Sequence, residues 1–177
     1  MSVHTKRITL IAAGIALFVV LSLCLQVPVF ENYYLCLGYV VMAVYCCCFG
    51  TLAGTAVGFL GVILYCVLIS GLRGMPGWTL GNLVIGIALG LTFRATDRMK
   101  PALRWILLAA VIWTSTALGI LVVKSLTECL LYSQPFLLRA AKNSYAFVAD
   151  GVMLTLSIPI CEALRKPAKK MFPRLSR

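Results

Sequence analysis

Six apolar runs divide this chain, at about residues 8–25, 34–49, 51–72, 78–93, 103–123 and 145–164. Each is about 16–22 residues long, near the ~20 that a helix rising 1.5 Å per residue needs to cross ~30 Å of hydrocarbon. Strands of a membrane barrel would be about 10 residues long and alternate in polarity, which none of these runs does. Backbone in lipid must satisfy its own hydrogen bonds, so the runs predict an all-α membrane protein with six transmembrane helices. The second and fourth runs are short and call for flanking residues or local thinning of the bilayer. Lys6 and Arg7 precede the first run as they would in a signal peptide. That run is longer than a signal core, however, and Gln26-Val27-Pro28-Val29 offers no small-x-small cleavage site. It is therefore read as a retained helix, and residues 1–177 as a single six-helix domain.

Composition agrees with a chain solvated by lipid. Hydrophobic residues make up 62% and charged residues 12%, against about 25% charged in a soluble domain. The net charge of +11, from 16 Lys and Arg against 5 Asp and Glu, would suggest nucleic acid in a soluble protein. Here the basic residues flank apolar runs, so they report orientation and no nucleic-acid partner is expected. With both termini cytoplasmic, the inner segments hold Lys6, Arg7, Arg94, Arg98, Lys100, Arg104, Arg165, Lys166, Lys169, Lys170, Arg174 and Arg177. The outer segments hold only Arg73, Lys124, Arg139 and Lys142. Cytoplasmic loops carry the excess of Lys and Arg, which favours this orientation. The segment from Lys124 to Ser144 reads as a long outer connection, either a plain one or a binding loop.

Little in the sequence suggests metal or covalent chemistry. Cys46, Cys47 and Cys48 are consecutive, so on a helix they point in three directions. The other five cysteines are scattered, the single histidine is His4, and no C-x-x-C or H-E-x-x-H spacing occurs. The thiols read as small buried hydrophobes, and neither a metal nor a cofactor is expected. No G-x-S-x-G, Walker A or kinase motif is present, so the chain is read as no enzyme and as lacking an ATPase of its own.

Small residues and outer-end polar groups carry more information. Ala12 and Ala16, with Ala13 and Gly14 between them, give the first helix a stripe that another helix can approach closely. Gly50, Gly54, Gly58 and Gly61 follow in the third run, and Gly86 and Gly90 in the fourth. At the outer end lie Glu31, Asn32, Tyr33, Tyr34, Trp78, Asn82, Tyr145 and Asp150, with Trp113 to Thr116 deeper in the fifth run. Tyr33, Tyr34, Trp78 and Tyr145 could form an interfacial belt. Asn82, Thr114 to Thr116 and Asp150 lie too deep for that. An ionisable group within a span is costly, so Asp150 should face a partner or a cavity.

Taken together these features resemble the substrate-binding S component of an energy-coupling factor (ECF) transporter. The matching features are a basic start with an A-x-x-x-A first helix (Ala12, Ala16) and an outer loop containing Pro28. A Phe49-Gly50 turn then leads into a glycine-rich third helix, and Gly74, Pro76, Gly77 and Trp78 open a glycine-rich fourth. A basic tail completes the pattern, and the resemblance covers nearly the whole chain. It implies a multi-pass protein of the bacterial cell (plasma) membrane that binds one small-molecule vitamin at the outer side. It also implies docking on an ECF transmembrane scaffold subunit, with two cytoplasmic ATPase subunits driving uptake. Carried over, Ala12 and Ala16 would form the docking stripe. Asn32, Tyr34, Trp78, Asn82, Trp113, Arg139, Tyr145 and Asp150 would be substrate-binding candidates. Few charges line the outer half, so a large, mostly neutral ligand is expected. Cobalamin comes first, with pyridoxine, a hydroxymethylpyrimidine precursor or pantothenate as alternatives. Two other classes compete: a self-sufficient small oligomeric carrier or channel, and a membrane assembly factor. A channel should carry a polar stripe through the whole thickness, and the inner halves of these runs have few polar groups.

Overall fold

The structure, a computed structural model, describes residues 3–24, 27–30, 33–72 and 75–172, with backbone alone for Val3, 27–30, 33–34 and Ser70. Seven α-helices and one short hairpin make up this part: α1 (Val3–Cys24), β1 (Val27–Phe30), β2 (Tyr33–Leu35), α2 (Gly38–Phe49), α3 (Thr51–Tyr65), α4 (Met75–Ala95), α5 (Pro101–Thr116), α6 (Ser125–Tyr132) and α7 (Phe136–Met171). A π-helical segment at Cys66–Ser70 extends α3, and another at Ala117–Lys124 joins α5 to α6. The α5–α6 rod thus runs unbroken from Pro101 to Tyr132, and the described residues form a bundle of six rods.

Five of these rods are long and apolar enough to span a membrane, and the sixth, α2, has only 12 residues. Its ~18 Å falls well short of the ~30 Å hydrocarbon layer. The sequence predicts a helix from residue 34, but Tyr33–Leu35 pairs instead with Val27–Phe30 in an antiparallel hairpin whose register shifts between Pro28 and Phe30. The short length is tolerated because lipid is not what surrounds α2. It packs against α1, α3, α4 and α7, and nine of its twelve residues are buried. Mismatch with the bilayer is felt by lipid-facing helices, not by a rod walled in by protein. The fourth run, expected to be short, is a 21-residue helix. Pro76 lies in its first turn, where a missing N–H costs nothing.

The predicted long outer connection is also helical. Residues Lys124 to Ser144 fold into the end of the π segment, α6 and the first turns of α7, leaving only Ser133, Gln134 and Pro135 outside helix. Ser133 takes the left-handed conformation (φ 51°) that ends α6, and Pro135 immediately precedes α7. Polar side chains in this stretch masked its helical period, because they face a polar interior.

Packing follows the rule for lipid, where small residues let backbones approach and dispersion replaces the hydrophobic effect. A Cβ added at Gly90 would come 2.5 Å from the Thr51 Cα, and one at Gly86 would come 2.9 Å from the Thr55 Cα. Gly58 faces Met42 and Gly61 faces Phe18 in the same way, so the glycine stripes of α3 and α4 join helices of one chain. Phe18, Tyr39, Met42, Ile85, Leu89 and Leu154 are fully buried in the resulting core. Arg7, the Gly50 turn, Arg94 and Arg165 line one hollow, so the start of α1, the end of α7 and the basic turns share one end of the bundle. The hairpin occupies the other end, against α7.

Candidate functional site

At the hairpin end, six elements bring polar groups into an apolar interior. Tyr39 stands in the first turn of α2, where its ring is wholly buried. Its hydroxyl donates to Asn82 Oδ1 at 2.8 Å and accepts from Trp78 Nε1 at 2.8 Å. Trp78 and Asn82 are four apart on α4, hence on one face of that helix. Asn82 Nδ2 reaches across to the Gly58 carbonyl of α3 at 3.4 Å, and the Tyr65 ring meets the Trp78 ring edge-on at 5.7 Å. Asp150, from the buried face of α7, lies against the same Tyr39 hydroxyl and within electrostatic reach of Lys124. Burying one unpaired charge would cost several kcal/mol, and Lys124 and Asp150 are of opposite sign.

A second cluster continues outward from Lys124. Ser125 Oγ donates to the Ile120 carbonyl at 3.3 Å, five residues back, as the wider π turn permits. Asn143 Nδ2 donates to Ser125 Oγ at 3.0 Å and to Glu128 Oε2 at 3.2 Å, and the Arg139 guanidinium lies 3.9 Å from the same carboxylate oxygen. Arg139 Nε is buried without a hydrogen-bond partner. Lys124 and Arg139 balance Glu128 and Asp150 in formal charge, which leaves this buried cluster rich in directional donors and acceptors.

The sequence-derived candidates divide by position. Trp78, Asn82 and Asp150 come together around Tyr39, and Arg139 joins the second cluster. Trp113 stands apart from the Tyr39 group, packed edge-on against Phe147 at 5.3 Å and over Gly151. Tyr145 is on the outward flank of α7, 41% exposed, off the face that buries Asn143, Ala146 and Asp150. Tyr34 sits in β2 opposite Pro28, and Asn32 lies outside the described residues. Sequence reasoning missed Tyr39, Lys124, Ser125, Glu128 and Asn143. Lys124 could have been found, since it directly abuts the apolar run 103–123 and an ionisable group at that depth marks function. Tyr39 carries no such signal among the apolar residues of its helix.

Ala12 and Ala16 are exposed on α1, as are Ala13 and Leu17, while Gly14 turns inward against Tyr45 and Val57. The small-residue face is therefore left uncovered by the described residues, and one member of the expected stripe is part of internal packing. The three adjacent cysteines do diverge. Cys46 packs at Gly54 and donates to the Gly86 carbonyl at 3.5 Å, whereas Cys47 donates to the Cys161 carbonyl at 3.8 Å. Among the described residues no three His, Cys, Asp or Glu side chains are grouped so as to hold a metal ion.

Comparison with known families gives a match that spans the bundle: the family model described as "ECF-type riboflavin transporter, S component" covers residues 2–166. That range takes in all six rods up to the basic end of α7, including the hairpin, the neutral polar interior and the bare face of α1. Members of this family are vitamin-specific transporter subunits that work with an ECF module, and they are not enzymes. This chain, a helical multi-pass membrane protein, belongs to the family of ECF-type S components.

Proposed function

We propose that the protein captures one vitamin at its hairpin end, among Tyr39, Trp78, Asn82, Asp150 and Arg139, and passes it inward when docked on an ECF scaffold with its two ATPases. The observation that carries this reading is the buried, charge-balanced polar cluster at the end opposite the termini. Such a cluster is expensive in lipid unless it serves recognition. Trp78 and Tyr65 supply ring faces, Asn82 and Tyr39 supply directional hydrogen bonds, and the unpartnered Arg139 Nε supplies a donor. In this arrangement Trp113 forms a more distant wall, Tyr34 and Asn32 belong to the covering hairpin segment, and Tyr145 anchors the rim at the membrane interface.

The ligand chemistry that suits this end is a neutral, ring-containing molecule with several hydroxyl or amide groups. Riboflavin, for which the matching family is named, meets that description and is the first candidate. Its flat fused rings suit the aromatic surface that Trp78 and Tyr65 make together, and its hydroxyl chain suits the amide and carboxylate groups. Cobalamin is the second candidate, favoured by the same neutrality. Docking is assigned to Ala12 and Ala16 on the exposed face of α1, where small side chains allow a partner helix to approach closely. The cell membrane of a bacterium is the expected site of action.

Mass spectrometry of small molecules retained by the purified full-length protein tests the reading. A bound flavin is expected and would show directly in the visible absorption spectrum. A retained corrinoid would replace riboflavin with cobalamin. Failure of a vitamin panel to bind with sub-micromolar Kd would overturn the capture role.

A further inference from the structure

The hollow at the basic end lies far from vitamin capture and has its own chemistry. It measures about 520 Å3, and its wall includes Arg7 of α1, Arg94 of α4, and Arg165 and Lys169 of α7. One carboxylate faces these four cations. Asp97 ion-pairs with Arg165 and lies 3.7 Å from Lys169 Nζ. Among the described residues neither Arg7 nor Arg94 has an acidic partner within 4.0 Å. The fourth side of the hollow is the start of α3. Gly50, at φ 91°, turns the chain there, and no side chain caps the first turn of the helix. Its N–H groups add the positive end of the helix dipole to the same space. Four cations and one anion therefore converge on one volume; the ends of α2 and α4 oppose the start of α3 there, so the positive excess comes from the side chains, and an anion would offset it.

We infer that this hollow binds a phosphate-type oxyanion, supplied by the headgroup of an anionic phospholipid in the adjoining leaflet. A free phosphate ion shares the chemistry, but the surroundings favour the lipid. Leu52 lines the hollow and is 65% exposed, so apolar surface continues outward from the cationic wall, as acyl chains below a seated headgroup require. Arg7 and Arg94 are the principal contacts, because Asp97 already engages the two cations of α7. The site would fix α1, α3, α4 and α7 to one leaflet at the end from which the vitamin leaves.

The test is native mass spectrometry of the full chain in non-ionic detergent, titrated with phosphatidylglycerol. A parallel series follows thermal unfolding in inorganic phosphate against chloride at matched ionic strength. Removing one cation is expected to weaken lipid binding about fivefold, and Arg7→Gln with Arg94→Gln together more than tenfold. Arg94→Lys should retain most of the binding. Arg98→Gln removes a nearby exposed charge that does not line the hollow, and should change little. Binding of phosphatidylglycerol that is lost in the double variant supports the lipid as the source. A phosphate-dependent rise in unfolding temperature that is lost in the same variant supports the free ion. The inference is overturned if neither probe distinguishes the double variant from the parent, or if Arg98→Gln weakens binding as much as Arg94→Gln. Should the double variant not run as a monodisperse species, Arg94→Gln and Arg94→Lys carry the comparison alone.

Discussion

Helices α1 and α4 are nearly equal in length, 22 and 21 residues, and both carry small residues at four-residue spacing. They use those residues in opposite ways. Only 22% of the α1 apolar window is buried, against 50% for α4. Gly86 and Gly90 of α4 lie so close to α3 that a methyl group would strike backbone. Ala12 and Ala16 of α1 face outward. A small residue permits close approach, and the rest of the chain decides whether the approaching helix is its own or a partner's. The difference also bears on mechanism. Under the proposed docking, α4 supplies a rigid interior and α1 the unclaimed face that a partner helix can approach.

The comparison can be broken most severely at the α4 glycines. Gly90→Leu should overpack the α3 contact at Thr51 and cost about 3 kcal/mol or more, read as loss of monodisperse protein or a large fall in Tm. The matching change on α1, Ala16→Leu, should leave the free energy of unfolding within about 0.5 kcal/mol of the parent. Equal destabilisation by the two would erase the distinction between an inner and an outer face. Next in size, Ala12→Trp or Ala16→Trp should abolish co-purification with the ECF scaffold while vitamin affinity of the isolated protein stays within about twofold. Undiminished complex formation would move the docking surface elsewhere.

Smaller effects sharpen the account of the inner face. Asn82→Ala removes a fully buried amide and leaves the Tyr39 hydroxyl and the Gly58 carbonyl without it. A loss of about tenfold or more in vitamin affinity is expected, measured by isothermal calorimetry. Asp150→Asn keeps the shape and removes the charge opposite Lys124, and a similar loss is expected if the carboxylate contacts ligand. An unaltered Kd in either variant would remove that residue from the site. The mildest change is Tyr39→Phe, which deletes one hydroxyl at the centre of the Trp78–Asn82 pair. It should cost about 1 kcal/mol, near fivefold in affinity, with Tm lowered by a few degrees at most.

Part of the buried polar cluster was legible, for a definite reason. Asn82 and Asp150 stand out in the sequence because polar groups are rare in apolar runs and costly in lipid. The structure brings both to Tyr39. Glu128 and Asn143 did not stand out, because they fall where polar residues resemble a loop. Only the continuous helix from Pro101 to Tyr132 and the early start of α7 turn them inward. Trp113 and Tyr145 are placed differently. Each is aromatic and near the outer half by sequence, but helical phase places one against Phe147 and the other on the exposed flank.

The sequence by itself determined the solvent, the number of rods and the end that carries the positive charge. Those follow from run length and from charge placement, which are local properties of the chain. What only tertiary structure decided is direction: which small residues face neighbours and which face out, which polar groups pair, and where α2 can be short. Direction depends on what lies opposite a helix face, and in a bundle that partner is set by side chains dozens of residues away.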